Sequence, residues 1–139
     1  MAKNVVADSG YWFGLFNPRD AHHSCACAIE EFISNHSVLI PWPSLYETLN
    51  TRLMRRGQDR ERFNAYVKRE STVLLEDTPY KNHSLNYVLD QRSTSYSLVD
   101  HVIRSMLEDP NLRVDALITF NVGDFIDVCQ ARNIEIIDC

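Results

Sequence analysis

Long apolar runs and an excess of positive charge are both absent from this chain. No apolar run approaches the roughly 20 residues that a membrane-spanning helix requires, and residues 1–4 lack the long apolar region of a signal peptide. The net charge is −5, so the chain as a whole is not a general nucleic-acid binder. We therefore expect a cytoplasmic protein with no membrane association.

Cysteine is scarce, with four residues at Cys25, Cys27, Cys129 and Cys139. A chain of this length can bury a core without disulfides, and cytosolic thiols stay reduced, so we expect free cysteines. The segment His22–Cys27 contains two histidines and two cysteines. Its spacing is not that of the common zinc motifs, and no second ligand pair follows. A zinc site here is an open alternative to simple packing of small side chains.

Glycine is also scarce, with four residues, and none of them forms the Gly-x-Gly-x-x-Gly turn of a dinucleotide-binding module. No Gly-x-Ser-x-Gly elbow is present, which argues against a Ser/His/Asp hydrolase built around His83 or His101. A phospho-acceptor receiver domain would need adjacent acids after the first strand and a lysine after the last. Asp8 stands alone at that position, so this class is also disfavoured.

Short apolar runs alternate with helical patterns along the whole chain. The runs begin at Val5, Val38, Thr72, Ala116 and Ile134, and each is typical of a buried strand. Apolar periodicity and breakers predict helices over 20–35, 44–56, 59–69, 80–92, 96–108 and 124–132. This alternation predicts one α/β domain over residues 1–139, with a central parallel sheet of about five strands in a three-layer α/β/α sandwich.

Two local features refine this prediction. Asp8-Ser9-Gly10 is typical of a turn after the first strand. Ser44 is a candidate N-cap after two prolines, with Glu47 as its capping-box partner. The aromatic stretch that follows Gly10 either fills the core or shapes a partner contact, and we favour the core for most of it.

Four acids, Asp8, Glu47, Asp100 and Asp124, lie where this fold would bring them to one edge of the sheet. In parallel sheets, ligands bind at the carboxyl ends of the strands. Each acid alone has a structural explanation: Asp8, Glu47 and Asp124 as turn or capping residues, and Asp100 as a polar residue on the flank of an apolar helix. A cluster of carboxylates is unfavourable unless protons or a cation compensate for the repulsion, and a hard divalent metal with oxygen ligands is the compensation we expect.

Basic residues concentrate in one short segment. Residues 52–69 contain seven of the 14 basic residues, against only Asp59 and Glu61. One interpretation is a solvated helical hairpin with salt bridges. The other is a phosphate-binding flank beside the acids, with Arg52, Arg55 and Arg56 as its candidate RNA contacts.

Four short motifs in this order resemble those of the PIN-domain ribonucleases, most closely the VapC-like toxins of toxin–antitoxin pairs. The motifs are Val6-Ala7-Asp8-Ser9, Pro43-Ser44-Leu45-Tyr46-Glu47, Ser97-Leu98-Val99-Asp100 and Thr119-Phe120-Asn121-Val122-Gly123-Asp124-Phe125. The last is the most specific, because such proteins often carry Thr-x-Asn-x-x-Asp-Phe there. The ordered set spans essentially the whole chain.

The resemblance implies a metal-dependent endoribonuclease that uses Mg²⁺ or Mn²⁺, acting as the toxin of such a pair. It implies Asp8, Asp100 and Asp124 as metal ligands, with Glu47 completing the catalytic set. The supporting polar residues would be Ser9, which would orient Asp8, together with Ser97, Thr119 and Asn121. The partners it implies are an RNA substrate, a cognate antitoxin protein and a second copy in a homodimer. The alternative is a catalytically silent PIN-like domain that binds RNA or protein.

Overall fold

In the computed structural model, residues 2–50, 55–90 and 96–139 are described. Their five strands form one parallel sheet in the order β3-β2-β1-β4-β5. The strands are β1 (Asn4–Ala7), β2 (Ser37–Pro41), β3 (Thr72–Leu75), β4 (Ala116–Ile118) and β5 (Glu135–Ile137). The chain passes outward from β1 to β2 and β3, and then returns to the other side of β1 for β4 and β5. The switch point in strand order therefore lies between β1 and β4.

Seven α-helices are formed by the described residues. They are α1 (Ser9–Phe16), α2 (His23–Ser34), α3 (Trp42–Leu49), α4 (Gly57–Val67), α5 (Thr78–Asp90), α6 (Leu98–Glu108) and α7 (Ile126–Ala131). A 3-10 turn (Val122–Asp124) precedes α7. None of the described helices is long and apolar enough to cross a membrane.

Successive strand residues point to opposite faces of the sheet, and each face has its own core. Val5 and Ala7 pack in a cluster with the buried side chains of α1, α2 and α4. Val6 packs in a second cluster with those of α6 and α7. Each large apolar side chain removed from water contributes about 1.5–3 kcal/mol to folding. The expected three-layer α/β/α architecture with a five-stranded parallel sheet is confirmed.

Helix α1 occupies the stretch expected to begin as a turn. Asp8 caps the helix instead, accepting a hydrogen bond from the backbone N–H of Ser9, and the prediction of a first helix over 20–35 missed this element. Tyr11, Trp12 and Phe16 are almost completely buried, so most of the aromatic stretch fills the core as expected.

Helix α3 begins earlier than the prolines led us to expect. Its first residue is Trp42, with Pro43 in the first turn, where proline is tolerated because those N–H groups have no partner within the helix. Ser44 is therefore not the N-cap, and its buried hydroxyl has no hydrogen-bond partner. The predicted capping box is wrong, which leaves Glu47 available for another role.

Boundaries elsewhere shift by a few residues. Gly57 begins α4 rather than breaking a helix, and Ser97 is the N-cap of α6. The predicted helix over 124–132 is divided into the 3-10 turn and α7.

A disulfide joins Cys25 to Cys139, with 5.8 Å between the Cα atoms. It attaches the residues after β5 to the first turns of α2. The expectation that all four cysteines are free is wrong for this pair, because the fold brings together two residues 114 positions apart. Cys27 and Cys129 are free thiols.

Candidate active site

Asp8 lies at the centre of the sheet edge, directly after β1. The residue is 4% exposed. Oδ1 accepts a hydrogen bond from the backbone N–H of Ser9 over 2.8 Å, and Oδ2 accepts one from the hydroxyl of Thr119 over 3.3 Å. Since Thr119 follows β4 at the switch point, the two adjacent strands β1 and β4 together hold the Asp8 carboxylate in place.

Glu47 reaches the same edge from α3. Its Oε1 accepts a hydrogen bond from the hydroxyl of Ser9 over 2.9 Å. We expected Ser9 to orient Asp8, and it contacts both acids, with its backbone N–H on Asp8 and its hydroxyl on Glu47. Ser9 therefore connects α1 with α3 beside the acids.

Asp100 lies in the first turn of α6. The hydroxyl of Ser97 accepts a hydrogen bond from the backbone N–H of Asp100 over 3.1 Å. This contact makes Ser97 the N-cap of the helix. An acid in the first turn is favoured by the helix dipole, and the charge of Asp100 reaches Asp8 and Glu47 and raises the pKa of both.

Asp124 ends the 3-10 turn that follows β4. The turn is anchored by Thr119, whose hydroxyl oxygen accepts the backbone N–H of Asn121 over 3.1 Å. The backbone N–H of Asp124 then donates to the carbonyl of Asn121 over 3.1 Å. Thr119 thus holds Asp8 through its hydroxyl hydrogen and the Asp124 segment through its oxygen.

The four acids, called the acidic cluster below, influence one another electrostatically. The pKa of Asp8 is raised to about 6. Burial is the largest cause, the charges of Asp100 and Glu47 add to it, and the hydrogen bond from the Ser9 N–H opposes it. Partial burial of the carboxylate raises the pKa of Glu47, opposed by the Ser9 hydroxyl and reinforced by the charge of Asp100. Burial also raises the pKa of Asp100, opposed by Ser97 and reinforced by the charge of Asp124. Like charges within range of one another disfavour full ionisation, so the cluster favours a proton or a cation.

The donor chemistry fits a hard divalent cation, because carboxylate oxygens are the ligands that such a cation prefers. The charged forms of Asp8, Glu47 and Asp100 are also disfavoured in the metal-free protein. Among the residues that the structure describes, no three His, Cys, Asp or Glu side chains are already arranged to hold a metal ion. Mg²⁺ usually keeps several waters and binds one or two carboxylates, so a set of three preformed protein ligands is not a requirement.

Arg104, which the sequence did not single out, joins α6, the helix that carries Asp100, to the segment that carries Asp124. Its guanidinium donates to the carbonyl of Asp124 over 2.6 Å and to both carboxylate oxygens of Asp127 over 2.8 Å. The available signal was its spacing, because Arg104 lies four residues after Asp100 on the same helix and therefore on the same face.

Two arginines of the basic segment have structural partners. Arg62 pairs with Glu30 on α2, and Arg69 donates to the backbone carbonyls of Ile33 and His36. These contacts favour the structural interpretation for those two residues.

The three candidate RNA contacts have different outcomes. Arg55 and Arg56 are exposed. Arg56 lines a cavity of about 420 Å³ beside the last turn of α1. Asp8 caps the opposite end of that helix. Arg52 lies outside the described residues.

No family model and no curated protein matches the chain in sequence. Solved structures do match. One is VapC20 of Mycobacterium tuberculosis, described as a sarcin-ricin loop cleaving toxin, with a TM-score of 0.65 and 19% identity, covering 88% of this chain and 94% of that one. Another is VapBC2 of Rickettsia felis bound to a DNA fragment from its promoter, with a TM-score of 0.56 and 14% identity, covering 97% and 98%. The chain therefore has the α/β PIN-like fold of the VapC proteins.

Proposed function

We propose that this protein is a metal-dependent endoribonuclease that hydrolyses RNA phosphodiester bonds. The observation that carries this proposal is the acidic cluster at the switch point of a VapC-like fold, with Asp8 buried and its pKa raised by burial and by its acidic neighbours. A ligand pocket at this place is typical of open parallel sheets. In such a pocket, a nuclease needs groups that neutralise the charge of the phosphate and that activate a water molecule.

Asp8, Asp100 and Asp124 would hold a Mg²⁺ or Mn²⁺ ion, and Glu47 would act as an outer ligand or orient water. Such an ion supplies charge neutralisation and a bound water of lowered pKa. The chain's own contribution is to fix the carboxylates. Ser9 and Thr119 hold Asp8 from two sides, and the hydroxyl of Ser9 holds Glu47.

The partners are proposed by likeness to the solved structures. One of them is described as a toxin that cleaves the sarcin-ricin loop, and another as a VapBC complex. We infer that this chain is likewise the toxin of a toxin–antitoxin pair, with RNA as substrate, a separate antitoxin protein as partner and a homodimer as its assembly. Arg55 and Arg56 are exposed and are the proposed RNA contacts, together with Arg52.

A second candidate is a catalytically silent domain that binds RNA or protein. The observation that favours it is that the described residues form no preassembled group of three metal ligands. The two candidates differ in one measurable property, because only the enzyme breaks RNA in the presence of a divalent cation.

The test is cleavage of a mixed RNA substrate by purified protein, with Mg²⁺ or Mn²⁺ and with EDTA. We expect cleavage that EDTA abolishes and that Asp100→Asn removes while circular dichroism stays unchanged. Glu108→Gln is the matched control, since Glu108 is an exposed acid on the same helix at its far end. Undiminished cleavage by Asp100→Asn would refute the assigned roles, and a wild-type protein that binds RNA without cutting it would favour the silent domain.

A further inference from the structure

Arg104 is more tightly held than a surface arginine. Its side chain is 11% exposed although Asp127, its partner, is 61% exposed. The guanidinium makes a bidentate contact with the Asp127 carboxylate, and its central carbon lies 4.2 Å from the centre of the Tyr96 ring. Paired arginine–carboxylate contacts of this kind are directional as well as strong. The Arg104 guanidinium lowers the pKa of Asp127 to about 2, so the pair stays charged at neutral pH.

The same guanidinium also donates to the backbone carbonyl of Asp124 over 2.6 Å. Asp100 lies on the same face of α6 as Arg104, one turn earlier. One side chain therefore connects the helix that carries Asp100 with the turn that carries Asp124.

Direct contact with substrate is not the role that these contacts favour. Both outer nitrogens of Arg104 are already engaged by Asp124 and Asp127. One face of the guanidinium is covered by Tyr96. An arginine that is fixed on these sides and mostly buried is suited to holding protein groups in place.

We propose that Arg104 is a positioning residue, which holds the Asp124 turn against α6 and so fixes the spacing of the Asp100 and Asp124 carboxylates for a divalent cation. This inference rests on the proposed function of the acidic cluster. Asp127 contributes to the same role, because its carboxylate orients the Arg104 guanidinium toward the Asp124 carbonyl.

The test compares Arg104→Lys, which keeps the charge and loses the paired contact, with Arg132→Lys. Arg132 also donates to a carbonyl of α6, that of Glu108 over 2.8 Å, at the end of the helix away from the acids. Mn²⁺ affinity is measured by calorimetry without RNA. We expect Arg104→Lys to weaken binding about tenfold, as for the loss of one hydrogen bond to a charged group, and Arg132→Lys to leave it within twofold.

Asp127→Asn provides a second route if Arg104→Lys fails to fold. It leaves the arginine and its charge in place and weakens its anchor, so we expect a smaller loss of Mn²⁺ affinity in the same direction. In cleavage assays, the Mn²⁺ concentration for half-maximal rate should rise with the binding constant, while the KM for RNA at saturating Mn²⁺ stays within twofold. A role limited to general stability would not separate these two quantities.

The outcomes distinguish the two proposals. If wild-type protein binds Mn²⁺ and cuts RNA while the Arg104 and Asp127 variants bind Mn²⁺ equally well, the positioning role is refuted and the enzyme remains. If wild-type protein neither binds Mn²⁺ nor cuts RNA, the proposed function fails, and the positioning role fails with it.

Discussion

Ser9 donates its hydroxyl hydrogen to Oε1 of Glu47 over 2.9 Å, although the two residues are 38 positions apart. The contact joins the first residue of α1 to α3. Because Ser9 also holds Asp8 through its backbone N–H, it sets the position of two acids at once. Only its side-chain contact can be removed by substitution, so the two functions can be separated.

Ser9→Ala should lower the rate of RNA cleavage about tenfold, the equivalent of roughly 1.4 kcal/mol for a hydrogen bond to a charged group. The Ser9 hydroxyl lowers the pKa of Glu47, so its loss should also move the pH–rate profile upward if Glu47 titrates in it. Ser34→Ala is the control, since its exposed hydroxyl donates only to a carbonyl of its own helix. Equal rates for both variants would contradict a role for Ser9 in the site.

Asp8 should destabilise the metal-free protein at neutral pH. The folded protein keeps a proton on Asp8 up to a pH of about 6, against 3.8 for the ordinary value. The free energy of unfolding therefore falls as pH rises from about 4 to 6, by about 3 kcal/mol at most. Asn at an N-cap is favourable, so in EDTA at pH 7.5 we expect Asp8→Asn to be more stable than wild type.

Urea unfolding at pH 7.5 and at pH 3.5 measures this difference. The advantage of Asp8→Asn should be present at the higher pH and nearly vanish at the lower one, where Asp8 is protonated in the folded state and mostly protonated in the unfolded state. An advantage that is the same at both pH values would show that the charge of Asp8 is not its source.

Added Mg²⁺ should raise the melting temperature of the wild-type protein, because an ion that binds only the folded state stabilises it. At tenfold excess over the dissociation constant, the gain is about 1.4 kcal/mol, or roughly 3–6 °C for a chain of this size. Asp100→Asn should shift much less, and Glu108→Gln should shift as wild type does. No shift in wild-type protein at millimolar Mg²⁺ would count against the site.

Reduction should lower the stability of the protein through the Cys25–Cys139 disulfide. The bond closes a loop across 114 positions, and the chain-entropy model gives about 4–5 kcal/mol for such a loop. Cys25→Ser should therefore unfold at lower denaturant concentration than wild type under oxidising conditions, and reductant should not change it further. Cys27→Ser is the control, because Cys27 is a free exposed thiol; equal stability of the two variants would argue against the disulfide.

The sequence predicted the architecture because its strands are short, apolar and separated by helical patterns. It missed α1, because a helix buried almost all round has no polar face, and Asp8-Ser9-Gly10 has the composition of a turn. It placed the start of α3 too late, because the prolines at 41 and 43 were interpreted as breakers, whereas Pro43 lies in the first turn.

The acids of the candidate site could be predicted from the sequence, whereas the hydrogen bonds that hold these acids in place could not. Motif order identified Asp8, Glu47, Asp100 and Asp124, whose roles stay predictions. The contacts of Ser9 with Glu47 and of Thr119 with Asp8 span 38 and 111 positions. No local pattern encodes such pairings, which depend on strand order. The disulfide was missed for the same reason.

The position of β1 between β2 and β4 has a consequence during synthesis on the ribosome. The hydroxyl that holds Asp8 comes from a residue 111 positions later in the chain, and contacts of such long range form late in folding. A nascent chain that has emerged only as far as α6 still lacks Thr119 and Asp124. If the assembled cluster cleaves RNA, a nascent molecule cannot do so until the segment that carries Thr119 and Asp124 has emerged and folded.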